Sequence, residues 1–221
     1  MTKKEKLISV KCPEELVPVF QKAEKQVKEF FSKQIHNPKT AVRKISGDRY
    51  MLVRAEALGY YIRKTAEKIV GKENAKMFVF KFGHAIGKAE AVGFHKRFKL
   101  KTPNEKLSAG PVYFNYAGFA FVDLLPGCSP TPDKNYILVY NHPNSFEAKM
   151  QLKLDGKSKN CVCHMNAGYS SGWCEESYGI PLVAKEVACV AKGDKYCRFV
   201  MAPPSRIFEH IGTFKKKWRI K

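Results

Sequence analysis

The chain has 221 residues, 44% of them hydrophobic, enough for one sizeable core or for one core plus a small subdomain. No stretch approaches the roughly 20 apolar residues that span a bilayer, and the apolar piece Leu7-Ile-Ser-Val10 after the charged start is too short for a signal-peptide core, so the expectation is a soluble, cytoplasmic chain. Forty Lys and Arg against twenty Asp and Glu give a formal charge of +20, which can attract nucleic acid, anionic membrane or an acidic partner but specifies none of them; the lysines are scattered, with one dense run at Lys215-Lys-Lys-Trp-Arg219.

In chain order, Pro13-Glu14-Glu15 makes a good first helical turn, and Leu16, Phe20, Ala23, Val27, Phe30 and Phe31 recur at helical spacing behind it. Pro18 starts or kinks that helix. Two short alternating runs in Ala41 to Val53 flank Ser46-Gly47-Asp48 and predict strand, turn, strand. A helix follows with Leu58, Tyr61, Ile62, Ala66, Ile69 and Val70 on one face and Gly71 as its stop. Another runs from about Glu73 to Phe94, with Gly83 and Gly87 allowing close packing.

The period then changes. Val112 to Leu125, rich in Phe and Tyr, and Asn135 to Asn141 both predict strands, with a turn-rich loop from Pro126 to Asp133 between them. In the strands, Phe119 and Phe121 should share one face, and Ile137 and Val139 the face opposite Tyr140. Ser145 starts a helix, and a small helix covers about Asn166 to Tyr178, weakened by Gly168 and Gly172. Leu182–Ala191 and Tyr196–Met201 predict a hairpin around Lys192-Gly-Asp-Lys195. Helices first, then mixed strand and helix, give an α+β class: mixed helices and antiparallel sheet with a small C-terminal zinc-binding lobe.

Seven cysteines, five of them between Cys161 and Cys197, in a chain with no secretory signal favour metal or thiol chemistry over disulfides. Glu186 and Cys189 are three apart, Cys189 and Cys197 eight apart, and the last two flank the predicted hairpin turn. Thiolate sulfur and carboxylate oxygen both ligate zinc, and four closed ligands make a structural site. Burial as small hydrophobes is the competing fate of such cysteines, and this spacing is not a common zinc signature.

Gly168-Tyr-Ser-Ser-Gly172, Gly179-Ile-Pro-Leu182, Lys185-Glu-Val-Ala-Cys189, Gly193 and Cys197-Arg-Phe199 resemble the 4-vinyl reductase domain, a small-molecule-binding module. Upstream, Arg49 to Leu58, Ala109-Gly-Pro111 and Asn144-Ser-Phe-Glu-Ala148 resemble the sensory half of bacterial activators of aromatic catabolism, the XylR/DmpR type; the likeness runs from about Asp48 to Pro204. It implies a zinc ion held by Cys163, Glu186, Cys189 and Cys197, with Cys161 the nearest competitor for the first ligand. It also implies a buried ligand among aromatic walls, here Phe114, Tyr116, Phe119, Phe121, Tyr140, His142, Tyr169 and Trp173. Where phenol sensors carry a histidine against the ligand hydroxyl this chain has Phe114, and where they carry a tryptophan it has His142, which leaves a less polar aromatic, a lipid-like molecule or an acid paired with His142 open as ligands; for a ligand hydroxyl or carboxylate, His142 is the expected partner.

The implied function is a non-enzymatic sensing module for a small aromatic or hydrophobic ligand, with structural zinc and a regulatory role. The alternatives are an enzyme or accessory protein acting on a tetrapyrrole or other hydrophobic substrate, and a basic adaptor for nucleic acid or membrane. No nicotinamide or flavin fingerprint, phosphate-binding loop or helix-turn-helix is present, and no catalytic set is identified. The expected organisation is 1–47 as helix and strand for dimerisation, 48–204 as the sensor domain, and 205–221 as a basic tail or linker helix toward an output domain or separate regulatory protein. A homodimer is implied, with Leu16, Phe20, Val27 and Phe31 as its apolar face.

Overall fold

A computed structural model describes residues 6–218. Most of the charged start and Arg219 of the basic run lie outside the described residues. The fold is mixed α and β with two sheets. The larger has the order β1-β5-β6-β8-β7, built from Val10–Lys11, Val122–Leu124, Leu138–His142, Cys197–Ala202 and Val183–Ala188. All its pairs are antiparallel except β1 with β5, which is parallel. The smaller is an antiparallel meander of β2 (Gln34–Asn37), β3 (Val42–Ile45) and β4 (Asp48–Tyr50).

Helix α1 spans Val17–Ser32 after one tight turn at Glu14–Leu16, and Pro18 lies in its first turn, where a missing N–H is harmless. Its apolar face does not stay open for a second chain. Phe20 and Val27 are buried within this chain, Phe31 packs on Tyr113 and Tyr116, and Leu16 joins the same core. Both tyrosines lie on α4, Pro103–Tyr116. The expected dimer face is thus an intramolecular contact.

Helix α4 corrects the strand expected from Val112. Thr102 accepts from the Glu105 amide while Glu105 reaches back to the Thr102 amide, and Pro103 opens the first turn. That reciprocal cap commits the following residues to helix before their aromatic alternation counts. Phe114 and Tyr116 are therefore helical, Phe119 and Phe121 lie between helix and strand, and only Val122–Leu124 is extended. The alternation expected around Tyr140 does occur: Ile137 and Val139 face one core cluster, Leu138 and Tyr140 the other.

Helix α2 (Ile62–Val70) continues a π-turn at Ala57–Tyr61 and stops at Gly71, whose φ of 78° suits glycine. Helix α3 (Lys72–Arg97) crosses α6 (His164–Tyr178), which is buried on nearly every side. The crossing is built from glycine on both helices. A Cβ at Gly83 or Gly87 would lie 2.3 or 2.1 Å from the carbonyl oxygens of Met165 and Tyr169. At Gly168 or Gly172 it would lie 2.0 or 2.1 Å from those of Phe80 and His84. Gly168 and Gly172 thus fix the place of α6. On the outer sheet face, α7 (Ile207–Trp218) packs Ile207, Ile211, Phe214 and Trp218 against β6, β7 and β8.

Candidate functional site

The cysteine cluster sits where the β7–β8 hairpin meets the start of α6. A tight turn at Val190–Lys192, with Gly193 at φ 102°, reverses the chain so that Cys189 and Cys197 face each other. Asp194 accepts from the Cys189 amide at 2.7 Å and pins that turn. Cys163 is the N-cap residue of α6. Its sulfur is 3.6 Å from that of Cys197, which is 3.9 Å from that of Cys189. One ligand atom from each of Cys163, Glu186, Cys189 and Cys197 lies within 4.8 Å of the others, an arrangement that could hold a metal ion. Cys161 is not one of the four; it is half-buried and its thiol lies beside Cys189.

The donor set fits a cation. Glu186 accepts from the Cys163 amide with Oε2 at 2.9 Å, while its Oε1 is buried with no hydrogen-bond partner. A buried orphan acceptor is costly unless something positive meets it. Burial holds the Glu186 carboxyl far above its usual range and pushes the Cys163 thiol up, while surrounding thiol donors favour the thiolate at Cys189. A divalent ion would reverse the cost of ionising these groups together.

A supporting shell surrounds the cluster that residue spacing does not reveal. Ser145 precedes α5 (Phe146–Asp155), yet its hydroxyl does not cap that helix; it contacts the Cys163 sulfur at 3.1 Å and accepts from Asn166 Nδ2 at 2.9 Å. Glu147, fully buried, accepts from the amides of Met165 and Asn166 at 3.0 and 2.8 Å, and burial lifts its carboxyl to about 8. It satisfies the open N–H groups at the start of α6 from a residue 17 positions before that helix begins, beyond the reach of any local capping pattern.

Beside this, between α4, α6 and the inner sheet face, lies an apolar cavity of about 40 Å³. Phe114, Tyr140, Tyr169 and Trp173 line it, with Leu107, Pro111, Leu138, Ser170 and Met201. The Trp173 indole donates to the Lys106 carbonyl at 2.9 Å, so its ring is fixed. The hydroxyls of Tyr140 and Tyr169 are buried without partners. Tyr116 points instead toward Phe31, and Phe121 is half-buried and outside the lining. His142 is behind the wall: fully buried, packed on Phe114, Tyr140 and Phe199, both ring nitrogens unpaired, its pKa pushed down to about 3 by desolvation. Phe119 stacks on Phe114 at 5.0 Å and meets Tyr169 at 5.1 Å, supporting the cavity from outside.

Residues 31–125 match the family described as activator of aromatic catabolism, and residues 144–203 match the 4-vinyl reductase domain. The chain resembles the sensor domain of XylR/DmpR-type activators of aromatic catabolism. The chain is 29% identical over 158 residues to the phenol regulator MopR of Acinetobacter guillouiae, covering 72% of this chain and 28% of that protein. It is 26% identical over 154 residues to the transcriptional regulatory protein XylR of Pseudomonas putida, covering 70% and 27%. The chain therefore spans a little over a quarter of the length of these curated relatives. Its fold is that of the phenol-responsive sensory domain of the transcription activator PoxR, solved with phenol: TM-score 0.70, 22% identity, 81% of this chain and 89% of that one. No described helix is long and apolar enough to cross a membrane.

Proposed function

We propose that this chain is a non-enzymatic sensing module for a small, largely apolar or aromatic ligand, with a regulatory role and a structural zinc ion. The observation that carries the reading is the apolar cavity walled by Phe114, Tyr140, Tyr169 and Trp173, beside a four-donor cluster that joins the β7–β8 hairpin to the start of α6. Its relatives by sequence are regulators, one of them of phenol. Zinc suits three thiolates and one carboxylate, and its part here is to lock the hairpin to the start of α6, which carries Tyr169 and Trp173 into the cavity wall.

At about 40 Å³ the cavity is well below the ~150 Å³ that takes up benzene in an engineered protein core. Ligand uptake therefore displaces wall side chains, and the half-exposed Ser170 marks the side nearest solvent. A ligand hydroxyl or carboxylate would meet the unpaired hydroxyls of Tyr140 and Tyr169 first, and His142 only once Phe114 or Tyr140 moves. The test is a thermal-shift screen of phenols, alkylbenzenes, aromatic acids and fatty acids on zinc-loaded protein. At least one class raises the melting temperature, and Tyr169→Ala abolishes that rise. No shift from any class at millimolar concentration would defeat the sensing reading.

A further inference from the structure

The outer face of the C-terminal lobe gathers charge of one sign. Lys159 follows α5, Lys185 stands on β7, Lys192 ends the tight turn of the hairpin and Lys215 lies on α7, yet all four line one groove of about 330 Å³. Among the described residues no carboxylate pairs with Lys159, Lys185 or Lys215, and Lys192 has only Asp194 at 3.6 Å. The one acid of the groove, Glu186, turns its carboxylate to the cysteine cluster, with Oε2 on the Cys163 amide and Oε1 buried. Four segments distant in sequence thus bring like charges together, at a cost that an anion in the groove relieves.

The groove also carries apolar surface. Val187 is buried and Ile211 half-buried, while Phe208 is 76% exposed. Phe208, Ile211 and Lys215 follow each other on α7 at steps of three and four, so they share one helix face. Among the described residues no other ring meets Phe208, which leaves its aromatic face open to a stacking partner.

We propose that this groove binds single-stranded nucleic acid, its lysines meeting successive phosphates and Phe208 stacking on a base. A lysine ammonium meets phosphate as a point charge, and an open aromatic ring takes the face of any base; together they make the pattern of sequence-tolerant single-strand binding. Lys216 and Lys217, exposed beside Lys215, carry the positive charge beyond the groove, as a polymer needs and a lone nucleotide does not. In a duplex the bases stack on each other and leave Phe208 unused. A lipid surface fits less well, because the lysines line a recess beside a single ring, whereas binding in the membrane interface buries a continuous apolar face. An acidic peptide added as a further strand is hindered at β7, where the Ala184 amide already donates to the Ser171 hydroxyl at 2.8 Å. The proposal does not depend on the cavity or on its ligand.

The experiment is fluorescence anisotropy of a labelled oligothymidine of about 15 nucleotides, the upper span of one single-strand-binding fold, titrated with the zinc-loaded chain. The expected affinity falls with salt, with a slope of log K on log salt of about −2 to −3 for about three to four phosphates met. Lys185→Glu combined with Lys215→Glu weakens binding by about tenfold or more and flattens that slope. Lys25→Glu combined with Lys28→Glu on α1 makes the same change in net charge and leaves binding within about twofold. Phe208→Ala, at an exposed position that does not carry the fold, weakens the oligothymidine by about tenfold, the scale of one stacked base, and leaves a duplex of equal length unaffected. Four results would each overturn the proposal: no binding at about 50 mM salt, a loss in the α1 pair equal to that in the groove pair, a Phe208→Ala chain that binds oligothymidine like the parent, or displacement of the oligothymidine by phosphatidylserine vesicles or polyglutamate at equal charge.

Discussion

The glycine crossing of α3 and α6 can be tested with a single methyl group. Gly172→Ala adds a Cβ 2.1 Å from the His84 carbonyl oxygen, where ordinary contact begins at 3.4 Å. The obstacle is backbone on a packed helix, so no rotamer change relieves it, and the two axes have to separate by more than an ångström. On an open helix the same change is favourable by up to about 1 kcal/mol, since alanine is the better helix former. Overpacking a tight contact costs about 1–3 kcal/mol and more when backbone has to move. The balance is a loss of about 3 kcal/mol, or roughly 6–12 °C in melting temperature for a domain of this size. Gly212 on α7 is the control: a Cβ there meets nothing within 4 Å, so Gly212→Ala holds or slightly raises stability. Urea denaturation of the two variants beside the parent decides the matter. If Gly172→Ala is as stable as Gly212→Ala, the helices are not in the backbone contact described.

Elemental analysis of chelator-free protein is expected to give about one zinc per chain, and Cys189→Ser to lose the metal together with several kcal/mol of stability or all soluble expression; less than a tenth of an equivalent of any transition metal would refute the site. His142 has a folded pKa of about 3 against 6.5 when exposed, so the unfolded state binds the extra proton between those values and stability falls as pH drops through that window. The loss reaches about 5 kcal/mol at its limit, and His142→Phe should flatten this part of the urea-midpoint profile between pH 6.5 and 3 relative to the parent. Thr102→Ala removes the acceptor that caps α4 and is expected to cost about 1 kcal/mol in denaturant titration, with no change in zinc content.

Much of the chain could be read from its local pattern. The breaks at Gly71 and Gly193, the strand–turn–strand around Gly47, the hairpin that brings Cys189 to Cys197, and the two-sided strand at Ile137 to Tyr140 all follow from rules acting within a few residues, whereas the third strand of the small sheet, Gln34–Asn37, does not. Glu186, Cys189 and Cys197 lie on that one hairpin, so their proximity was implicit in its turn; Cys163, 23 residues before Glu186, was tied to them by family resemblance rather than by spacing.

What periodicity could not say is which partner each face meets. The apolar residues of α1 and of α2 with α3 look alike in sequence, yet those of α1 are covered within the chain while those of α2 and α3 divide, Ala66 and Ala75 buried and Tyr61, Ile69 and Phe78 in solvent. Gly168 and Gly172 seemed to weaken a helix; only the crossing with α3 shows that their missing side chains make room for backbone. The aromatic run before Leu125 fits strand and helix alike, and the cap at Thr102 and Glu105 upstream decided for helix as far as Tyr116. Tertiary structure likewise placed His142 behind the cavity wall, and Glu147 and Ser145 around the metal cluster, since each depends on contacts between segments that approach only when the core closes. Local rules fix how a segment bends and which of its faces is apolar, because those energies act within one or two turns. The occupant of each face is set by long-range packing, where a methyl group at 2.1 Å outweighs any propensity.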